Sequence, residues 1–127
     1  MTSALRGVDV LLLEDESLVL MSTQEVLEGW GCSVRGFTHP DPCFAAVEER
    51  LPDIGVLDVK VNGHSYDLAE LLDQRSVPIV FLTAYEKAHS RRWSNHPLCQ
   101  KPCVWSELQQ LMLKALKRPA QPPQGVR

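Results

Sequence analysis

The sequence predicts an α/β domain built on a doubly wound, five-stranded parallel sheet with helices on both faces. Three observations predict it. Short apolar runs alternate with segments of helical spacing along almost the whole chain. The runs are continuous, as in strands buried on both faces, rather than apolar at every second residue. Acids, a hydroxyl residue and a lysine stand directly after those runs, where open parallel sheets bind ligands.

The chain has 127 residues, enough for one domain with a sizeable core. Apolar residues make up 44% and charged residues 23%, close to globular averages. Thirteen Lys and Arg against sixteen Asp and Glu leave a formal net charge of −3, which argues against a nucleic-acid binder. Apolar stretches such as residues 10–13 are far shorter than the roughly 20 residues of a membrane span or the apolar core of a signal peptide. A soluble, cytoplasmic protein without membrane contact is expected. His96, Cys99 and Cys103 lie close together, but their spacing matches no standard zinc pattern and no fourth ligand is evident. The four cysteines, Cys32, Cys43, Cys99 and Cys103, are therefore expected as free thiols.

Residues 1–7 read as a short lead-in. Residues 8–13 form the first strand and end in Glu14, Asp15 and Glu16. Residues 17–30 follow with Val19, Ser22, Val26 and Trp30 near helical spacing, and Gly31 is a helix stop. Residues 33–38 are a short strand. Residues 41–50 are a short helix with Phe44, Val47 and Leu51 on one face. Residues 54–57 are a buried strand ending at Asp58. After a loop at 62–65, residues 66–74 are helical with Leu68, Leu71 and Leu72 inward. Residues 78–82 are the fourth strand, ending at Thr83, and 98–100 a poor fifth, ending at Lys101 and Pro102. The last helix covers about 105–117, with Leu108, Leu111, Met112, Ala115 and Leu116 on one face. Between them, residues 84–97 carry only Tyr85 and Trp93 as large apolar anchors, so the fourth helix is expected to be short, irregular or absent. The domain is expected over residues 1–117. Residues 118–127, with Pro119, Pro122, Pro123 and Gly125, read as a disordered tail.

In a flavodoxin-like sheet of order 2-1-3-4-5, the first and third strands lie side by side at the centre. Glu14, Asp15 and Asp58 would then converge in one pocket. Three carboxylates this close repel unless some are protonated or a cation binds. Hard oxygen donors left partly hydrated suit Mg²⁺. Lys101 and Thr83 would add the positive charge and the hydrogen-bond donor that a phosphoryl group needs. Other ligands fit less well. Glu14-Asp15-Glu16 would repel a flavin or dinucleotide phosphate, and neither G-x-G-x-x-G nor a P-loop occurs. A haloacid-dehalogenase-type phosphatase needs a second acid two residues after the nucleophile, and that position is Lys60. Taken singly, each residue has a plainer role. The acids can form a solvated turn capping a helix, Asp58 a turn, Thr83 a strand end, and Lys101 a solvated side chain. Lys60 and His64 read as polar loop residues, and Tyr85 and Trp93 as packing residues.

Four motifs in order, Leu13-Glu14-Asp15-Glu16, Val56-Leu57-Asp58-Val59, Phe81-Leu82-Thr83-Ala84 and Lys101-Pro102, resemble those of the receiver domains of two-component response regulators. The resemblance covers about residues 8–117. It implies that Asp58 accepts a phosphoryl group from a phosphohistidine on a histidine kinase or phosphotransferase. It implies Mg²⁺ held by Glu14, Asp15, Asp58 and the Lys60 backbone carbonyl, with Thr83 and Lys101 on the phosphoryl oxygens. It also suggests a cis Lys101–Pro102 bond. The sequence departs from the family at three places. Leu98 stands where an aromatic switch residue is usual, three before the lysine, and Cys103 stands where Phe commonly follows Lys-Pro. The segment between Thr83 and Lys101 is short. The run from Phe81 to Tyr85 is similar to a subgroup of single-domain receivers, mostly alphaproteobacterial, in which the aromatic two after the threonine, here Tyr85, takes the switch role.

The expected function is a stand-alone bacterial phosphoacceptor switch or phosphate shuttle rather than a conventional enzyme, signalling to a downstream protein by contact. The alternatives are a pseudo-receiver binding module that is never phosphorylated, and a small hydrolase using Asp58.

Overall fold

The computed structural model describes residues 4–59, 65–84 and 91–117. Five parallel strands form one sheet: β1 Asp9–Leu13, β2 Ser33–Phe37, β3 Ile54–Asp58, β4 Ile79–Thr83 and β5 Leu98–Gln100. Their order is β2-β1-β3-β4-β5, as expected. The helices are α1 Ser17–Gly29, α2 Pro40–Glu49, α3 Ser65–Gln74 and α4 Trp105–Lys117. Every boundary lies within a residue or so of the expected one.

The triple leucine of β1 shows why the strands read as continuous apolar runs. Successive side chains point to opposite faces, and both faces are covered. Leu11 and Leu13 join Cys43, Val47, Leu57, Leu68, Leu72 and Phe81 in a core beneath α2 and α3. Val10 and Leu12 join Leu27, Ile54, Val56, Val80, Leu108 and Met112 in a second core beneath α1 and α4. All five residues of β3 and of β4 are buried. Gly55 lets α3 sit close on β3, since a Cβ there would lie 2.7 Å from Leu72 Cδ1. Gly31 ends α1 with φ +95°, a left-handed conformation that glycine adopts without penalty.

Several expectations need correction. The buried residues of α1 are Thr23 and Leu27, with Leu20 packed beside them; Ser22 is exposed and Val19 and Val26 are only half-buried. The inward stripe is thus rotated by about one residue, because Leu20 and Leu27 bury more apolar area than the residues on the face first read. On α2 the buried set is Cys43, Ala46 and Val47, while Leu51 is 43% exposed beyond the helix end. The lead-in is not loose throughout. Leu5 is fully buried, and the Gly7 amide donates to the Gly31 carbonyl at 2.8 Å.

The segment after β4 holds a single 3₁₀ turn, Arg91–Trp93, and no α-helix among its described residues. It is anchored better than its composition suggested. Trp93 is 2% exposed and packs edge-on to Phe81 and His96, with ring centroids 5.4 and 4.9 Å apart, and stacks near Tyr66. Arg92 lies over the Trp93 ring at 4.0 Å and pairs with Asp73 and Glu70 of α3. A buried ring of this size anchors a segment that has few aliphatic residues of its own. The Lys101–Pro102 bond is cis. Cys99 and Cys103 form a disulfide, so only Cys32 and Cys43 are free, both buried. The free-thiol reading failed for that pair because the turn after β5 brings the two Cα atoms to 5.9 Å, within disulfide range.

Candidate functional site

The strand order reverses between β1 and β3, which leaves a crevice at their carboxyl ends. Glu14 follows β1 and is fully buried, its amide donating to the Phe37 carbonyl at 3.0 Å. Its Oε2 accepts from the Glu16 amide at 3.1 Å. The acidic run is therefore more than a cap. Glu16 is the N-cap residue of α1, but its side chain makes no capping hydrogen bond. Asp15 is exposed at the crevice mouth. Asp58 closes β3 and is 7% exposed. One carboxylate oxygen of each of Glu14, Asp15 and Asp58 lies within 4.8 Å of the others.

Lys101 reaches into the same crevice from the end of β5. Its ammonium lies 2.7 Å from Glu14 Oε1 and 3.4 Å from Asp58 Oδ2. Its amide donates to the Thr83 carbonyl at 2.7 Å, which fixes the start of its loop against β4. Thr83 itself is buried, 1% exposed, at the end of β4. The structure thus gathers Glu14, Asp15, Asp58 and Lys101 at one point, with Thr83 on the adjoining strand end. Lys60, expected to give a backbone carbonyl, and Tyr85, expected as the switch, lie outside the described residues, as do His64 and the 118–127 tail. Leu98, at the usual aromatic position, is half-buried against the core that holds Phe81 and Trp93.

The electrostatics follow from burial and from the excess of acids over bases. Burial first, then a hydrogen bond shared with Asp15 and the charge of Glu14, pushes the Asp58 carboxyl up from near 3.8 to about 7. Lys101 opposes this rise without cancelling it. Burial works against the Lys101 charge, but pairing with Glu14 and Asp58 outweighs it and raises the ammonium above its usual range. Two carboxyls joined by a hydrogen bond must hold a proton between them, a sign of repulsion that a cation would relieve. Hard oxygen donors, a net negative cluster and an open side at Asp15 fit Mg²⁺ better than a soft metal. A cavity of about 540 Å³ adjoins the crevice between α1 and α4, lined by Glu14, Leu18, Lys101, Cys103, Trp105 and Leu108 among others. Charges at the other end of the sheet are paired, Asp9 meeting Arg50 at 2.9 Å and Arg35 at 3.5 Å.

Sequence reasoning passed over two features beside the site: the Cys99–Cys103 bond around Lys101, and how deeply Trp93, read as a packing residue, is buried against β4. The spacing of four between the cysteines was the available signal for the first. A lone tryptophan in a polar stretch was the signal for the second.

Comparison with known proteins gives a consistent result. The family profile of the response regulator receiver domain matches residues 10–93. No curated protein matches the chain. Among solved structures, SdrG from Sphingomonas melonis Fr1 is 27% identical with a TM-score of 0.73, covering 87% of this chain and 96% of that one. The receiver (REC) domain of the Erythrobacter litoralis PhyR response regulator is 26% identical, TM-score 0.76, covering 90% and 93%. The response regulator PhyR from Brucella abortus is 24% identical, TM-score 0.73, and shares the fold. The match covers 90% of this chain but 49% of that longer one, so the chain spans about half of its length.

Proposed function

The chain belongs to the response regulator receiver domain family, and from that premise we propose that it is a phosphorylation-dependent switch with Asp58 as acceptor. The observation that carries this reading is the setting of Asp58. Its carboxyl ends a central strand, largely buried, with a lysine ammonium 3.4 Å away and two further carboxylates within 4.8 Å.

Glu14, Asp15 and Asp58, with the Lys60 backbone carbonyl, would hold Mg²⁺. The ion, when bound, neutralises charge on the phosphoryl oxygens and leaves Asp58 an ionised nucleophile. An Asp58 oxygen attacks phosphorus in line. The bond from phosphorus to the donor imidazole nitrogen breaks, and its electron pair stays on that nitrogen. The product is an acyl phosphate on Asp58. Lys101 already sits where it can pair with a phosphoryl oxygen, at the cost of loosening its contact with Asp58. The Thr83 hydroxyl, on the neighbouring strand end, supplies a hydrogen bond to another. The donor is a histidine kinase or phosphotransferase, the setting is cytoplasmic, and the folded receiver ends near Lys117. Tyr85 serves as the aromatic that responds, since Leu98 cannot.

The test is incubation with Mg²⁺ and a small acyl-phosphate donor, read by intact mass. The expected result is a gain of one phosphoryl group that Asp58→Asn abolishes. No gain would replace this reading with a pseudo-receiver binding module. Rapid donor consumption without a stable adduct would replace it with a hydrolase.

A further inference from the structure

We propose that Cys99 and Cys103 form a reversible thiol–disulfide site whose opening releases the loop that positions Lys101. The bond joins residues on either side of Gln100, Lys101 and Pro102, and so closes a small ring with Lys101 at its centre. The Lys101 amide on Thr83 and its ammonium between Glu14 and Asp58 are the contacts that this ring constrains. A short closed ring leaves these residues few alternative conformations, and opening it restores them.

The two sulfurs differ in access. Cys99 is fully buried in the core beneath α4, opposite Leu82 in the β4–β5 register. Cys103 is half-buried, lines the 540 Å³ cavity and lies two residues before α4 begins. The cavity gives a small thiol a path to its sulfur, and the helix start stabilises the Cys103 thiolate expelled in the second step of the exchange. The free cysteines make the contrast. Burial pushes Cys32 up to about 11 and Cys43 up to about 12, which leaves both as inert neutral thiols.

The exchange balances with a dithiol as reductant. Its thiolate attacks Cys103 Sγ, the Cys99–Cys103 bond breaks, and Cys99 Sγ leaves with the electron pair and takes a proton. The second thiolate of the reductant then attacks the mixed disulfide and expels Cys103. Cys99 and Cys103 are each reduced to thiols, the dithiol is oxidised to its disulfide, and its two protons end on the protein. In a reducing compartment such a bond is transient and its state reports the local dithiol balance.

The experiment equilibrates the full chain across oxidised-to-reduced dithiothreitol ratios, with quenching in acid and alkylation after denaturation. Two alkylated cysteines are expected at the oxidising end and four at the reducing end. Hydrogen exchange at the Lys101 amide should be about tenfold faster in the reduced protein. Cys103→Ala should show three alkylated cysteines at every ratio and match the reduced protein in Lys101 exchange. Four alkylated cysteines throughout would mean that no bond forms. Two throughout would mean that it does not open. Either overturns the proposal, as does equal Lys101 exchange in the two end states. Should Cys103→Ala fold poorly, the wild-type comparison decides alone. The consequence for phosphoryl transfer rests on the function proposed above and is read separately, as a severalfold slower phosphorylation of the reduced form. If neither form takes phosphate, that function falls, while the thiol count and the Lys101 exchange still judge the redox site.

Discussion

Replacing Asp58 by Asn should stabilise the metal-free protein at pH 8 and leave it almost unchanged at pH 4. Folding carries the Asp58 carboxyl from near 3.8 to about 7, chiefly through burial and then through Asp15 and Glu14. Between those values the folded state holds a proton that the unfolded chain has given up. Stability therefore falls as pH rises across that window, and the loss is complete above it. At about 1.4 kcal/mol per pH unit, the penalty at pH 8 is bounded at about 4 kcal/mol. That bound already includes the opposing ionic contact with Lys101 at 3.4 Å, which Asn gives up together with the repulsion. A gain of about 2 kcal/mol at pH 8, half of that bound, is expected, because the exposed Asp15 can swing away and ease the repulsion in the wild type. Urea unfolding in a chelator, from pH 4 to 8, measures it. Addition of Mg²⁺ should reverse the ranking, because binding to the folded wild type stabilises it by mass action. A wild-type-to-variant difference that stays flat with pH would refute the reasoning, since it would mean that Asp58 bears no repulsion.

Other residues respond in distinct directions. Lys101→Ala should lower metal-free stability at pH 7 by about 2–4 kcal/mol in urea unfolding, because it strips the cation from a fully buried Glu14. Asp15→Ala should raise metal-free stability and abolish Mg²⁺ binding, both readable by calorimetry; a lower metal-free melting temperature would contradict a repelling cluster. Trp93→Ala should cost about 3–5 kcal/mol by urea unfolding, since it empties the centre of an aromatic cluster. Gly31→Ala should cost about 1–3 kcal/mol, because φ is +95° and the new Cβ would meet the Arg6 backbone at 2.9 Å.

The sheet was legible because its signals are local and strong. A run such as Val10 to Leu13, ending in acids, has one good solution in an α/β fold with helices on both faces of the sheet, and its strand-end chemistry follows from the topology. The gathering of Glu14, Asp58 and Lys101 was legible for the same reason, since each closes or follows a strand. What escaped depends on contacts that no local pattern encodes. The facing of α1 turned on whether Leu20 or Val19 found the deeper seat. Trp93 gave no periodic signal, because a single residue draws its anchoring from Phe81, Tyr66 and His96 on other elements. The Cys99–Cys103 bond hinged on the path of one short turn.

The burial of the strands divides the sheet mechanically. β3 is covered along its full length, whereas β5 has three residues, one of them buried, and no strand on its outer side among the described residues. The acceptor carboxyl is thus set in a fully covered strand, and its counter-charge just beyond an edge strand, held there by the ring that the disulfide closes. A new charge on Asp58 would therefore meet less packing at the rim than along its own strand. Substitutions along β5 and its loop can retune how far that rim travels while the acceptor stays untouched, which gives such a domain room to diverge in output while keeping its input.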